Sequence, residues 1–268
     1  MGELLELDAA VVGSYLADAT ALISTALRRT PEVIVDLGAG TGVGTRALAA
    51  AFPGAEIVAV DASPEMAARL GANSPDARVV IADLDDGWPA DIGDADVLWA
   101  SASLHHVADP AALLRAARDR LRPGGVLAVI EMPHQPRFLP EPPDGAGVET
   151  RMEAIMAGRG YNSFPDWTDT IVDAGFAMAG THTITIDIPE TTDRTRAYAR
   201  ALLTRVRSGL ADDLAAEDLA TVDDLLGEGP TSLATRSDLH IRTGRLVWIA
   251  RTSHDTPHDH TPQNEEPS

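Results

Sequence analysis

The stretch Val33–Thr45, with the sequence VIVDLGAGTGVGT, decides the fold of this chain. An apolar, β-branched run ends in Asp36, a glycine-dense turn follows, and an Ala/Leu-rich stretch then predicts a helix. Glycine allows backbone to come close to a bound ligand, and the start of a helix offers free N–H groups. The pattern of strand, tight loop and helix start therefore predicts a ligand-binding loop.

The spacing of the glycines bears on which ligand this loop binds. A dinucleotide-binding loop has its third glycine where Val43 stands, and a P-loop needs a Gly-Lys-Ser/Thr sequence that does not follow here. Asp36, two residues before Gly38, would repel a diphosphate but suits a cation such as the amino group of a methionyl moiety. A nicotinamide-dependent oxidoreductase is the alternative from another enzyme class, and Val43 and Asp36 disfavour it.

Composition excludes several classes of protein. The chain has 268 residues, a formal net charge of −20, 21 basic residues that are all arginine, and no cysteine. An acidic surface disfavours nucleic acid and anionic membranes, and the lack of cysteine excludes disulfides, Cys-based zinc sites and thiol catalysis. No export signal or membrane span is recognisable. We expect a cytoplasmic monomer or homodimer that acts on a small molecule and has no metal site.

Strands and helices alternate through the first half of the chain, which predicts an α/β fold with a parallel sheet and helices on both faces. The first thirty residues have apolar positions at helical spacing. Ser63-Pro64 and Asp109-Pro110 are helix-start signals, for helices to about Leu70 and to Leu121. Strands are predicted at 33–37, 56–60, 78–82, 97–100 and 126–131, with a turn at 123–125.

The pattern changes after Glu131. A proline-rich loop is predicted over 133–147, a helix over 164–174, a strand over 180–188, two amphipathic helices within 193–226 and a last strand over 241–251. The two late strands are expected to pair as a long-range hairpin. The predicted organisation is an N-terminal helical cap (1–30), one domain (31–252) with lid elements at about 133–160 and 193–226, and a disordered tail (253–268).

Acidic residues stand at three successive strand ends. Asp61 ends the second strand, where a carboxylate can accept hydrogen bonds from both hydroxyls of a ribose. Asp83 follows the third strand and can accept from an exocyclic adenine amine while Leu84 packs on the ring. Together with Asp36, these positions predict one ligand that carries a cation, a ribose and an adenine.

At these motifs the chain resembles class I S-adenosylmethionine-dependent methyltransferases. The resemblance is carried by VDLGAGTG, AVDASPEM, ARVVIADLDD, DVLWASASLHHVADP and LRPGGVLAVIE, which occur in the family's order over roughly residues 30–135. It implies S-adenosyl-L-methionine as cofactor and a Rossmann-like seven-stranded, mostly parallel sheet with an antiparallel last strand and a helical lid insertion. Within this family, the motifs most resemble those of small-molecule branches, such as the trans-aconitate-type and ubiquinone-biosynthesis-type enzymes.

The resemblance also implies cofactor contacts. Asp61 would hold the ribose, Asp83 and Leu84 would bind the adenine, and Ala62 and Met66 would flank it. Ala100 or Ser101 would line the sulfonium region. The methionyl end would contact Asp36, Gly38, Ala39, Gly40 and Gly42. Tyr15, on the N-terminal helix, is a further candidate that would close over the cofactor, with core packing as the alternative.

Candidate catalytic residues stand after the fourth and fifth strands. His105 could act as base if the acceptor must lose a proton, with Glu131 as its partner, while His106 and His134 are weaker candidates. Packing of a His-His turn and a solvated loop acid are the alternatives. For a carboxylate acceptor no base is needed, and Arg137, Arg151 or Arg159 would clamp the acid.

The aromatic residues Tyr161, Phe164 and Trp167 either line an acceptor pocket or pack in the core, and core packing is favoured. The tail histidines His254, His258 and His260 are attributed to a flexible acidic tail. We therefore expect methyl transfer by in-line displacement to a small-molecule acceptor, such as a specialised metabolite. A carboxylate O-methyltransferase of the trans-aconitate type is the alternative, and a non-catalytic adenosylmethionine-binding protein is the alternative outside enzymes.

Overall fold

The computed structural model describes residues 2–142, 147–159 and 165–252. Its strands are β1 (Val33–Leu37), β2 (Glu56–Asp61), β3 (Arg78–Ile81), β4 (Ala95–Ser101), β5 (Leu121–Glu131), β6 (Phe176–Ile188) and β7 (Ile241–Thr252). They form one sheet in the order β3-β2-β1-β4-β5-β7-β6. Strand β7 runs antiparallel to both neighbours, and the other pairs are parallel. The predicted Rossmann-like sheet with an antiparallel last strand is confirmed.

Helices cover both faces of this sheet. They are α1 (Gly2–Val12), α2 (Tyr15–Ala26), α3 (Val43–Ala51), α4 (Pro64–Asn73), α5 (Pro110–Arg118), α6 (Val148–Gly158), α7 (Thr168–Asp173), α8 (Asp193–Gly209) and α9 (Ala216–Leu226). Side chains of α1, α2, α3, α8 and α9 share one buried cluster, and those of α5 and α7 share another.

Alternation along β4 assigns side chains to these two faces. Val97 and Trp99 belong to the cluster under α1, α2 and α8, whereas Leu98 and Ala100 belong to the cluster under α5 and α7. Successive side chains of a strand point to opposite faces, so this alternation also fixes which strand-end residues can face a given cavity.

The predicted helix starts are confirmed in detail. Ser63 Oγ accepts a hydrogen bond from the Met66 N–H at 3.3 Å, and Asp109 Oδ1 accepts from the Ala112 N–H at 2.8 Å. Each cap is followed by proline at the first helical position, where its missing N–H costs no hydrogen bond.

The boundary between α5 and β5 differs from the prediction. The helix ends at Arg118 rather than at Leu121, and the turn predicted at 123–125 lies inside β5. Gly124 has φ +78°, and the pairing with β4 skips from Leu121 to Val126 while β4 advances only from Ala95 to Val97. The Pro-Gly-Gly sequence therefore makes a bulge that the strand absorbs, rather than a turn that precedes it.

In the second half, one helix was not predicted and another begins later than predicted. The lid element 133–160 contains α6 after the predicted loop, and Glu149 of α6 accepts hydrogen bonds from the Phe138 and Leu139 N–H groups at 2.8 and 3.1 Å. Helix α7 begins at Thr168 because Asp166 Oδ1 accepts from the Thr168 N–H and hydroxyl. Phe164, Tyr161 and the tail with its histidines lie outside the described residues.

The paired late strands and the two helices between them agree with the prediction, since β6 and β7 pair antiparallel and α8 and α9 lie between them in sequence. Trp167 is buried in the cluster with Ile171, as the core alternative expects. Across the described ranges, no single helix is long and apolar enough to cross a membrane; α1 and α2 pass that test only together, and they are bent by 78° at their junction.

Candidate cofactor and acceptor site

Two adjoining cavities open at the carboxyl edge of the sheet, where β1, β2, β4 and β5 end. The outer cavity lies at the ends of β2 and β3 and encloses about 860 Å³, counting the space open to solvent. The inner cavity lies under α1, α2 and α8 and encloses about 930 Å³ on the same basis. Both are lined by Leu5, Gly38, Gly40 and Ala102, so together they form one trough.

The glycine loop forms the floor of this trough. Gly38 and Ala39 donate their N–H groups to the Val60 carbonyl at 2.9 and 2.8 Å, which joins the loop to β2. Gly38 has φ +74°, and a Cβ there would stand 2.4 Å from Ser103 Cβ. Gly40 has φ +56°, and a Cβ there would meet only Leu5 Cδ1, at 3.5 Å. The backbone at Gly40 is thus open to the trough, as a ligand-binding loop requires.

Gly42 has a different place from the other two glycines. It is the N-cap of α3 with φ +86°, and it lines neither cavity. A Cβ at Gly42 would stand 3.2 Å from both Leu70 and Ser74. In the structure Gly42 thus serves turn geometry and packing against α4, and its contact with the ligand stays a prediction.

Asp36 is buried at the end of β1 and lines the inner cavity. Its Oδ2 accepts a hydrogen bond from the Thr45 hydroxyl at 2.7 Å. Burial raises the pKa of Asp36 to about 7; Thr45 opposes this shift and nearby Asp61 adds to it. A cation bound in the inner cavity would favour the ionised carboxylate and offset the cost of its burial.

Asp61 and Asp83 lie together along the outer cavity with Ala62, Met66 and Leu84. Asp61 Oδ2 accepts from the Gly40 N–H at 2.8 Å, and its Oδ1 accepts from the Ser63 N–H at 2.9 Å. Asp83 Oδ1 accepts from the Asp85 N–H at 3.0 Å. Each carboxylate is oriented by backbone and keeps acceptor capacity for a ligand.

The end of β4 separates two residues that the sequence treated as equivalent. Ser101 lines the inner cavity, whereas Ala100 is buried in the cluster on the opposite face. Strand alternation accounts for this difference, so of the two alternatives, Ala100 or Ser101, the geometry favours Ser101 as the residue beside the sulfonium. The next residue, Ala102, has φ +52° and lines both cavities. A non-glycine residue in this conformation stores backbone strain, which is typical of functional sites.

The His105–Glu131 pair forms as expected, with 2.8 Å between His105 Nδ1 and Glu131 Oε2. Glu131 is buried, and its Oε1 has no hydrogen-bond partner among the described residues. Neither residue lines the two cavities, whereas His106 lines the outer one. Burial, together with neighbouring His105, lowers the pKa of His106. The catalytic role of these three residues stays a prediction, and the geometry gives it less support than the sequence does.

The three arginines expected to clamp a carboxylate acceptor are engaged elsewhere. Arg137 pairs with Glu153 at 2.6 Å, Arg151 with Asp218 at 2.5 Å, and Arg159 with Asp213. None of them lines the inner or the outer cavity. His134 bonds the Gln135 carbonyl through its Nδ1 at 2.8 Å and lines neither cavity.

The far wall of the inner cavity holds residues that the sequence analysis missed. Arg245 of β7 lies with Asp8 of α1 and Tyr198 of α8, and the predicted Tyr15 completes this group, which we call the Asp8–Arg245 cluster. Arg245 Nη2 donates to Asp8 Oδ2 at 3.1 Å, and its guanidinium stands 4.5 Å from the centre of the Tyr15 ring. A charged residue inside an apolar helix stripe (Asp8) or strand (Arg245) was the available signal.

The residues of the trough fit S-adenosylmethionine. Two residues that line the inner cavity, Trp99 and Thr41, each carry a buried polar atom, Nε1 and Oγ1, that has no partner among the described residues. Such donors suit the oxygens of a methionyl carboxylate, as Asp36 suits the amino group. Asp61 and Asp83 offer acceptors for the ribose and adenine. Across the described ranges no group of three or more His, Asp or Glu residues could hold a metal ion.

Comparison with known proteins agrees with this geometry. Residues 35–127 match the family model described as a methyltransferase domain. Over 87% of its length the chain resembles a putative methyltransferase from Bacillus halodurans, with a TM-score of 0.55, 18% identity and 98% of that chain covered. It also resembles the [4+2]-cyclase SpnF, with a TM-score of 0.50 and 18% identity over 88% of this chain and 81% of that one. Residues 35–127 thus resemble a methyltransferase domain in sequence, and the chain as a whole shares its fold with these solved structures.

Several curated relatives that match part of the chain share a name. Trans-aconitate 2-methyltransferase from Methylobacterium radiotolerans is 36% identical over 115 residues, which is 43% of each chain. The protein of that name from Mycobacterium tuberculosis is 44% identical over 96 residues, or 36% of this chain and 35% of the relative. The chain thus aligns with less than half of the length of these curated relatives.

Proposed function

We propose that this protein transfers a methyl group from S-adenosylmethionine to a small-molecule acceptor held in the inner cavity. The observation that carries the proposal is the single trough at the carboxyl edge of the sheet. It joins Asp83 and Asp61, which line the outer cavity, to Asp36 and Ser101, which line the inner cavity. Acceptors for adenine, ribose and amino group are therefore lined up, and room is left for a second molecule.

The bound cofactor supplies an electrophilic methyl group on a sulfonium. The protein's contribution is to hold the two reactants in line and to exclude water, which accounts for much of the rate of such displacements. Asp36, Asp61 and Asp83 would hold the cofactor, while α1 and α8 cover the acceptor. A base is needed only if the acceptor loses a proton, and His105 with Glu131 is the pair that sequence suggests for that step.

Methylation of a carboxylate acceptor of the trans-aconitate type is the second candidate, since the relatives are named as trans-aconitate 2-methyltransferases. Identity of 36% over 115 residues with one such relative favours it. The aligned part is the cofactor half, however, and Arg137, Arg151 and Arg159 are each paired with a carboxylate. Sequence identity in the cofactor-binding segment therefore supports this candidate more than the residues available to bind an anionic acceptor do.

Calorimetry with S-adenosylmethionine, S-adenosylhomocysteine and NAD tests the proposal. We expect binding of both sulfur ligands and no response to NAD. Radiolabelled methyl transfer is then measured with trans-aconitate and with fractionated metabolites as acceptors. Binding of NAD without the sulfur ligands would support the oxidoreductase instead. Binding of the sulfur ligands without transfer to any fraction would support a non-catalytic binding protein.

A further inference from the structure

We propose that Asp8 sets the charge selectivity of the inner cavity, so that its acceptor is uncharged in the portion that contacts the Asp8–Arg245 cluster. Without Asp8, the same wall would bind anions through Arg245. This inference rests on the proposed function and narrows its acceptor to a class of molecule.

Arg245 is the one basic side chain among the described residues that line the inner cavity. It is buried within β7, and its Nη1 donates to the Gly244 carbonyl at 2.8 Å. Burial alone would lower the pKa of Arg245, but Asp8, Tyr15 and Tyr198 outweigh it, so the net shift is upward and the guanidinium stays charged. A buried guanidinium beside a cavity is by itself a strong anion-binding group.

Asp8 neutralises that guanidinium directly. Both of its oxygens lie within 3.3 Å of Arg245 Nη2, at 3.3 and 3.1 Å. Tyr198 fixes the carboxylate by donating its hydroxyl to Asp8 Oδ1 at 2.5 Å. The donors that would otherwise meet an anionic acceptor are therefore occupied by a carboxylate of the protein itself.

The other charges near the cavity also disfavour an anion. Asp36 is the remaining ionisable carboxylate along its wall, and the proposed function assigns it to the amino group of the cofactor, so the described lining offers an anion no base besides the paired Arg245. The chain's formal net charge of −20 adds a repulsive long-range field. A cationic acceptor would in turn be repelled by the sulfonium of the cofactor. An uncharged acceptor avoids both costs.

The remaining wall suits an uncharged molecule with an apolar body. Met132, Pro136 and Leu202 supply apolar surface, and Gln135 and the phenols of Tyr15 and Tyr198 are neutral polar groups. Burial, with nearby Asp8, raises the pKa of Tyr198, so its hydroxyl keeps its proton. Hydrogen-bonding groups without net charge can thus orient an alcohol, phenol or amide.

Reciprocal charge changes test the inference with three probes that share one ring: benzoate, benzyl alcohol and benzylammonium. Calorimetry is carried out on protein saturated with S-adenosylhomocysteine. For the wild type we expect neither charged probe to bind more tightly than benzyl alcohol. Asp8→Asn should improve benzoate binding at least tenfold, and Arg245→Gln should improve benzylammonium binding by a similar factor.

The double variant Asp8→Asn with Arg245→Gln is the matched control, because it restores a neutral pair of similar shape. It should bind the probes in the wild-type order. If one single variant fails to fold by circular dichroism, the other and the double variant still give the answer. The inference is overturned if the wild type prefers benzoate, or if the folded variants leave the order of the probes unchanged. Failure of S-adenosylhomocysteine to bind the wild type would instead contradict the proposed function.

Discussion

Aspartates at the two edges of the sheet are used in different ways. At the amino edge, Asp96 of β4 is buried, and its carboxylate accepts from the Glu32 and Val33 N–H groups at 2.8 and 3.0 Å. Arg29 and Arg122 also donate to it, at 2.5 and 2.9 Å. At the carboxyl edge, Asp36 is equally buried but has the Thr45 hydroxyl as its side-chain donor. The first carboxylate is saturated by the protein, and the second retains capacity for a ligand.

The difference teaches how to tell a structural acid from a binding acid in this fold. A buried carboxylate whose lone pairs are filled by the protein joins elements and stabilises them. A buried carboxylate with few donors beside a cavity is costly in the absence of a ligand, and the raised pKa of Asp36 expresses that cost. Asp61 is intermediate, because two backbone N–H groups orient it while it lines the outer cavity.

The largest expected effect on stability is at the amino edge. Asp96→Ala should lower the free energy of unfolding by about 3 kcal/mol, because two backbone N–H groups lose their acceptor while the partly exposed Arg29 and Arg122 can be hydrated. Urea denaturation measures this change. Affinity for S-adenosylhomocysteine should stay within about twofold, since Asp96 lies at the opposite edge from the trough.

Asp94→Ala is the matched control for this change. Asp94 is two residues away, 61% exposed in its side chain and 3.9 Å from Arg120. Its removal should change stability by less than about 0.5 kcal/mol. If the two variants were equally stable, Asp96 would not be the structural acid that its contacts indicate.

The next effect is a pH dependence at Asp36. Its pKa is raised from 3.8 to about 7 in the folded chain, so the folded state holds a proton that the unfolded state releases above pH 4. The stabilisation is complete below about pH 4 and is lost as the pH rises through about 7. Between pH 5 and pH 8 the wild type should therefore lose about 2–3 kcal/mol that Asp36→Asn does not lose.

Urea denaturation of both proteins at the two pH values measures that difference. Because a bound cation favours the ionised carboxylate, saturation with S-adenosylmethionine should reduce it. Parallel pH profiles for the wild type and Asp36→Asn in the absence of ligand would contradict the interpretation of Asp36 as a destabilised binding acid.

At Asp61 the expected effect is on affinity. Asp61→Ala removes an acceptor for the ribose and the anchor of the Gly40 N–H. Affinity for S-adenosylhomocysteine should fall by about 2 kcal/mol, or about 30-fold. Calorimetry measures this change. The control is Asp76→Ala, since Asp76 is exposed and lies between α4 and β3. Equal affinities in the two variants would mean that the ribose is held by other residues.

How much of the molecule could be predicted depends on the distance between the interacting residues. The glycine loop, the strand-end acids and the caps at Ser63 and Asp109 depend on neighbours within a few residues, and local patterns indicate them. A charge within an apolar helix or strand marks Asp8 and Arg245 one by one, but they lie 237 residues apart, so no local pattern could indicate that they pair. The bulge at Gly124 and the direction of Ala100 depend on register, which is set only when strands pair.

The smallest expected effect concerns Glu131, an acid of the carboxyl edge that does not line the trough. Glu131→Gln keeps the shape of the side chain and should cost about 1 kcal/mol of stability through its bond with His105. Affinity for S-adenosylhomocysteine, measured by calorimetry, should stay within about threefold, because strand alternation directs Glu131 away from the face that carries Ser101. His105→Asn should behave in the same way. If either variant lost affinity for S-adenosylhomocysteine by tenfold or more, the His105–Glu131 pair would have to lie close to the bound cofactor. That result would support the catalytic role that the sequence suggests for the pair.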